Sequence, residues 1–257
     1  MFQFASRPLK QAAFEVQAYV RLLAAAIRGA MTPPVYRHDI VEQLDSLGVG
    51  SLTVVLLTGL FTGAALASQT GLTLDQFGAR PLVGRLVSAS MVIELGPVIA
   101  ALMLTGRIGS GIAAELGSMV VTDQINALRA LGTDPVRKLV VPRMLAGLLM
   151  APVLTIIADF MGIFGGWVVA RFQLQVSSAL YWSSVTDVLY VQDIEQGIIK
   201  PFVFGFLVVT IASYIGLRTS GGTQGVGKAT TVAVVAGSVA VIAADFFVTQ
   251  LLVWAIY

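Results

Sequence analysis

The sequence predicts an all-α integral membrane protein with five transmembrane helices, an N-terminal amphipathic helix in the membrane interface, and a cytoplasmic helix between two spans. Three observations predict this. Of 257 residues, 56% are hydrophobic and only 12% charged, about half the charged share of a soluble domain. Mean hydropathy is +0.86. The apolar residues gather into five long runs, each near the roughly 20 residues that cross a bilayer as a helix. The same numbers exclude other classes. A net charge of +2 offers no field for nucleic acid. The chain has no cysteine, hence no disulfide framework and no thiolate metal site. His38 is its single histidine, which argues against a His-based metal centre or a Ser-His hydrolase; no metal site is expected. Met1 to Lys10 is mixed in character, and no cleaved signal is expected there.

The elements follow in order. Leu9, Ala13, Val16, Val20, Leu23 and Ile27 recur at steps of three and four, predicting an amphipathic helix over residues 8–30. Arg7, Lys10, Glu15, Arg21 and Arg28 fall largely elsewhere. Such a helix either lies in the membrane interface or packs on its own protein. Thr32-Pro33-Pro34 ends it, and polar residues around His38 complete an N-terminal segment, 1–46. A five-span domain, 47–257, follows. The first span is expected at 47–67, with Gly59-x-x-x-Gly63 as a close-packing face. Residues 68–85 look too polar to span and read as a loop or re-entrant piece. The second span is expected at 86–105. The third, at 139–170, carries Pro152 and Gly162-x-x-x-Gly166. Residues 171–197 are polar, with Tyr181, Trp182 and Tyr190 suited to an interface belt. The fourth span is expected at 198–217, a glycine-rich loop at 218–230, and the fifth span at 231–254.

The central stretch, Glu94 to Arg143, organises the rest. An apolar run ends at Arg107 and a corner of Gly106, Gly109 and Gly111. A helix of mixed polarity over about 113–131 follows, stopped by Gly132-Thr133-Asp134-Pro135. A rigid helix held between two spans suggests docking to a cytoplasmic partner that moves them. With the N-terminus inside, only Arg80, Arg85, Arg171 and Lys200 of the sixteen Lys and Arg residues fall on outer segments. The positive-inside rule therefore places the N-terminus in the cytoplasm and, after five spans, the C-terminus outside.

Ionisable residues inside spans need a reason. Asp159 and Asp245 each cost roughly 2.5–3.5 kcal/mol at a helix centre. They should face the protein interior, bonded to hydroxyls or a basic residue; the functional alternative is a proton relay, as in a proton-coupled secondary transporter of a hydrophobic substrate. Gly222 to Lys228 mimics the start of a phosphate-binding loop. Ala229 stands where that motif needs Ser or Thr, and no soluble strand precedes it.

Three stretches make the chain recognisable: ELGPV from Glu94, GRIGSGIAAELGSM from Gly106, and TDQINALRALGTDPVRKLVVPR from Thr122. Together with GIIKPFVFG around Lys200, GGTQGVGKATTVAVV from Gly221 and the Gln69-to-Glu94 spacing, they resemble the MlaE/YrbE permease family. Its members are membrane subunits of ABC transporters that work with MCE-domain proteins on lipids. The resemblance covers about Leu47 to the C-terminus. It implies a homodimeric, non-enzymatic permease of the bacterial inner membrane, moving phospholipid to or from a periplasmic MCE protein (MlaD-like) to maintain outer-membrane lipid asymmetry. It implies a cytoplasmic ABC ATPase (MlaF-like) that carries the ATP and Mg, with no cofactor in this chain, and a STAS-domain subunit (MlaB-like) as a further partner. The 113–131 helix would be the coupling helix. Glu115, Thr122, Asp123, Gln124, Asn126 and Leu128 match its motif, which more often reads TEQIDAL. Glu94 and Lys200 match family positions near a lipid cavity, and Gln69, Phe77 and Leu66 would line its mouth. The usual RELGP has Ile93 in place of Arg here, which removes a positive charge. Lys200 would take a lipid phosphate as a point charge or snorkel at the membrane edge.

Overall fold

The computed structural model describes residues 2–34 and 36–256, with side chains from Ala13 to Ala255. Arg7, Leu9 and Lys10 therefore lie outside the described side chains. The protein is 89% helical, with no strand among the described residues. Helix α1 spans Phe2–Met31 and α2 Arg37–Asp75. Helix α3, Arg80–Val121, crosses as one element and contains two π-helical turns, Met91–Leu95 and Thr105–Gly109. A short α4, Gln124–Ala130, follows. Then come α5 (Val136–Phe172), α6 (Ser178–Thr186), α7 (Val191–Leu217) and α8 (Gly222–Ile256). Five of these, α2, α3, α5, α7 and α8, are long and apolar enough to cross a membrane. They run alternately up and down, so α1 and α4 lie at one end and α6 at the other.

Helices α2 and α5 form the most extensive packed pair, and glycine makes it possible. A Cβ on Gly59 would come 2.5 Å from the Ala158 carbonyl oxygen, and one on Gly63 would overlap the Gly162 carbonyl. The two small-residue motifs thus pack against each other, backbone on backbone. Helix α7 closes on α5 in the same way where Gly205 meets Gly147. The central core of Val55, Leu104, Ile112, Leu116, Leu154 and Val209 fills the space between these helices.

Helix α1 packs on its own protein, one of the two readings the sequence left open. Ala26 is buried against Val140, Val141 and Met144. Glu15 pairs with Arg218 at 3.0 Å, and Tyr19 shares a 2.8 Å hydrogen bond with Thr210. Burial pushes the Tyr19 phenol above its ordinary pKa, and the Thr210 bond pulls it partly back. Arg137 donates to the Thr32 and Pro33 carbonyls at 2.7 and 2.5 Å, tying the segment just past the end of α1 to α5. Meanwhile Val16, Val20 and Ile27 remain exposed as an apolar stripe.

Several boundaries differ from the expectations. Helix α2 begins at Arg37 and runs to Asp75, so the division at 46/47 falls inside one helix. Nothing between those residues is a proline, and only a turn at 76–79 remains of the expected 68–85 loop. The glycine corner at 106–111 is a helix. Isolated glycines cost only about 1 kcal/mol each there, and a π turn absorbs the irregularity. The single helix expected over 113–131 is split. Its first half continues span α3, and the chain breaks at Thr122-Asp123, where Asp123 has φ +58, a left-handed conformation that a short polar side chain tolerates. The expected 218–230 loop shrinks to residues 218–221, because Gly222 opens α8. Gly221 (φ +90) and Gly222 (φ +69) make that corner.

Candidate functional site

Pro97 stands two residues past the π turn at Met91–Leu95. Proline lacks the N–H that the Ile93 carbonyl, four residues earlier, would accept. Lys200 from α7 replaces it: its Nζ donates to the Ile93 oxygen at 2.8 Å. The same ammonium lies 2.7 Å from Glu94 Oε2 and 3.5 Å from Asp245 Oδ1. Thr249 Oγ1 donates to Glu94 Oε1 at 3.4 Å. Lys200 is 0% exposed and Glu94 is 41% exposed at its side chain. One buried cation thus joins α3, α7 and α8. Close approach permits it, since a Cβ on Gly197 would come 2.5 Å from the Val92 carbonyl. Full burial rules out snorkelling for Lys200.

An open apolar cavity of about 620 Å³ lies along α2, with Leu95 of α3 at its edge. Leu57, Phe61, Leu66, Gln69 and Leu95 line it. Leu66 and Gln69 therefore meet at the cavity, with Glu94 next in sequence to Leu95. Phe77 does not: it sits 78% exposed on the α2–α3 turn. Asp159 faces the interior as expected but lacks the expected partner. Its Oδ1 is buried without a hydrogen bond, against Gly96, where any Cβ would overlap the carboxylate. Asp245 has its basic residue in Lys200. In α6, Tyr181 is fully buried and donates to the Ile163 carbonyl at 2.9 Å; burial pushes its phenol upward, so it stays a donor.

The other end carries the 122–130 segment. Ile125 is buried in the core and Leu128 packs against it. Thr122, Asp123, Gln124, Asn126 and Arg129 project outward. They brace one another: Gln124 Nε2 donates to Thr122 Oγ1 at 3.0 Å, Asn126 Nδ2 to Asp123 Oδ1 at 2.9 Å, and Arg129 to Asn126 Oδ1 at 3.4 Å. The segment is a rigid polar ridge on an apolar footing. Glu115 stands apart, on α3, paired with buried Arg143 at 2.6 Å. Among the described residues, His38, Asp39 and Glu42 form a surface group of metal-ligand type, yet Lys138 already holds Asp39 at 2.5 Å.

Sequence reasoning missed four participants. Arg143 and Thr249 left no local signal, and only Pro97 marked the Ile93 carbonyl as open. Arg107, whose Nη1 donates to buried Ser51 at 2.7 Å, was legible only as the end of a span.

The profile described as "Permease MlaE" matches residues 40–251. A probable ABC transporter permease protein of Rickettsia conorii is 40% identical over 227 residues, 88% of each chain. The intermembrane phospholipid transport system permease protein MlaE of Haemophilus influenzae is 38% identical over 223 residues, 86% of this chain and 85% of that one. The chloroplastic protein TRIGALACTOSYLDIACYLGLYCEROL 1 of Arabidopsis thaliana is 34% identical over 216 residues, 84% of this chain and 62% of its own.

Proposed function

Because the chain belongs to the MlaE permease family, a family of ABC transport subunits and not of enzymes, we propose that it moves phospholipid between the bacterial inner membrane and a periplasmic MCE-domain protein, and so helps maintain outer-membrane lipid asymmetry. The observation that carries this reading is the 620 Å³ cavity. It is apolar, opens sideways on a membrane-spanning face, and is bounded by Leu95, the residue that follows Glu94 of the Glu94–Lys200–Asp245 charge cluster. That combination suits a molecule with acyl chains and a charged head. Two copies would face each other across this cavity. The α1 end lies in the cytoplasm, where the basic residues gather, and the C-terminus in the periplasm.

ATP is bound and hydrolysed, with Mg, by a separate ATPase. The 122–130 ridge seats in that subunit. Its exposed polar residues supply the contact and Ile125 transmits displacement to the core. Glu115 acts one step behind, through Arg143 on α5. A STAS-domain subunit would join on the same side. A proton-coupled carrier finds one observation in its favour, the unpaired Asp159 oxygen, but family membership supports ATP as the energy source.

The test is affinity purification of the tagged chain from native membranes in mild detergent, with mass spectrometry of proteins and lipids. An ATPase, an MCE-domain protein and phospholipid are expected together. A dimer that carries neither ATPase nor phospholipid after crosslinking overturns the reading.

A further inference from the structure

Two basic residues just past the polar ridge reach across the fold. Arg137 and Lys138 stand in the first turn of α5, within the π turn Val136–Val140. Arg137 grips the connection between α1 and α2 from one side. Its Nη2 donates to the Thr32 and Pro33 carbonyls at 2.7 and 2.5 Å and to Thr32 Oγ1 at 3.0 Å. Lys138 grips it from the other. Its Nζ lies 2.5 Å from Asp39 Oδ2, in the first turn of α2, and 4.5 Å from the centre of the Tyr36 ring. Among the described residues this is the ion pair that joins α2 to α5. Close approach supports the grip: a Cβ on Gly29 of α1 would come 2.9 Å from Arg137 Cγ, and Ala26 is buried against Val140, Val141 and Met144.

No slack separates the ridge from these two side chains. The Gly132 N–H donates to the Arg129 carbonyl at 3.0 Å, and the Thr133 N–H to the Leu128 carbonyl at 3.0 Å. The Val136 N–H donates to Asp134 Oδ1 at 2.9 Å, and the Lys138 N–H to the Asp134 carbonyl at 3.1 Å. A hydrogen-bonded chain of this kind passes a displacement on. The ridge is continuous in sequence with α3 and α5, yet all but one of the residues along the apolar cavity are on α2, Leu57, Phe61, Leu66 and Gln69 among them. A movement of the ridge therefore has to cross to α2 through side chains. Helix α2 runs unbroken from Arg37 to Asp75. Leu57 lies eighteen residues past Asp39, about 27 Å along that helix, so a shift of its first turn carries to the cavity wall. The Lys138 and Asp39 side chains are only 34% and 25% exposed, which limits screening of the pair by water and salt.

We propose that Arg137 and Lys138 are positioning residues for transport: they carry an ATPase-driven displacement of the ridge to the α1–α2 connection, and so to the α2 wall of the cavity. Neither residue lines the cavity, and neither is on the ridge. The inference rests on the permease reading and adds the route from ridge to cavity.

The test uses the full chain in complex with its ATPase, purified in mild detergent. Single cysteines report on the two ends of the route, since the native chain has none. Leu131→Cys stands beside the ridge, where Leu131 is exposed, and Phe61→Cys on the exposed cavity wall. The rate of maleimide labelling is read with and without a non-hydrolysable ATP analogue. Both rates should change with nucleotide in the otherwise native chain. With Arg137→Gln and Lys138→Gln together, the Leu131→Cys rate should still respond, and the Phe61→Cys response should be lost. Arg137→Lys with Lys138→Arg, which keeps both charges, should retain part of that response. A Phe61→Cys response that survives the double glutamine variant overturns the route. So does loss of both responses, which would put the two residues in the ATPase seat itself, and so does a native chain that responds at Leu131→Cys alone. A chain that carries no ATPase, or shows no nucleotide response at Leu131→Cys, overturns the permease reading instead. The double glutamine variant must keep the unfolding transition of its parent. If it does not, Asp39→Asn decides, because it opens the same ion pair from the α2 side: a weakened Phe61→Cys response is expected, and an unchanged one overturns the route.

Discussion

Lys200 shows how far a single residue departs from its local description. By sequence it is a basic residue near the outer start of a span, and that position permits a phosphate contact or a reach toward the interface. In the fold it is fully buried and bound by two carboxylates and a backbone carbonyl. Its partners come from α3 and α8, and no local pattern announces them. The loss of a positive charge at Ile93 was legible; the use of that residue's carbonyl was not, because it depends on Pro97 and on a π turn together. Removing the ammonium leaves Glu94 and Asp245 facing each other. Breaking such a pair costs roughly 3–5 kcal/mol when fully buried, and the partial exposure of Glu94 places this one at the low end. Lys200→Met should therefore lower the unfolding temperature in detergent clearly, and Lys200→Met with Glu94→Gln should recover part of the loss. A single variant as stable as wild type would contradict the pairing.

Among elements, the helices themselves were the most legible feature and their ends the least. Hydropathy finds five runs because each must satisfy its backbone internally within lipid. It fails at the ends because nothing about water stops a helix: α2 runs for 39 residues, far more than the roughly 20 that a crossing needs, and α8 takes in Gly222 to Lys228. Glycine looks like punctuation at 106–111 in the sequence but is a packed or open position within a helix there. At Gly59 and Gly63 the spacing and the structure agree on close packing. The Gly63 contact has no room for a side chain, since the obstacle is the Gly162 carbonyl, which cannot rotate away. Gly63→Val should separate α2 from α5 and cost more than 2–3 kcal/mol, the upper range for overpacking. Loss of monodisperse protein on size exclusion is expected. Gly106→Ala, where nothing lies within 4 Å, should behave as wild type in the same assay.

For the whole molecule, the distribution of exposed apolar side chains separates a buried pair of spans from two peripheral ones. Helices α5 and α7 bury half of their apolar windows, whereas α2 and α8 bury 22% and 17%. The cavity lies on the α2 side, with Leu57 and Phe61 exposed, and the proposed dimer forms across it. The native chain has no cysteine, so single cysteines report contacts directly. Phe61→Cys should crosslink two copies in membranes through a short bifunctional maleimide. Phe160→Cys on the exposed face of α5 should not. The reverse pattern would move the interface away from the cavity. The dimer had no signature in the sequence beyond family resemblance, because a lipid-facing stripe and a partner-facing stripe have the same composition.

The attachment of α1 carries a consequence for how the protein is made. The helix leaves the ribosome first, but Arg137, which closes its C-terminal end, follows Thr32 by 105 residues, and Arg218, which holds Glu15, follows it by 203. Until then the face that Ala26 and Tyr19 present to the protein has no partner of its own. The contact with α5 thus becomes available only when the third span is made, and the contact with Arg218 only at the end of the fourth, so α1 is the first helix synthesised and among the later ones to be fixed in place.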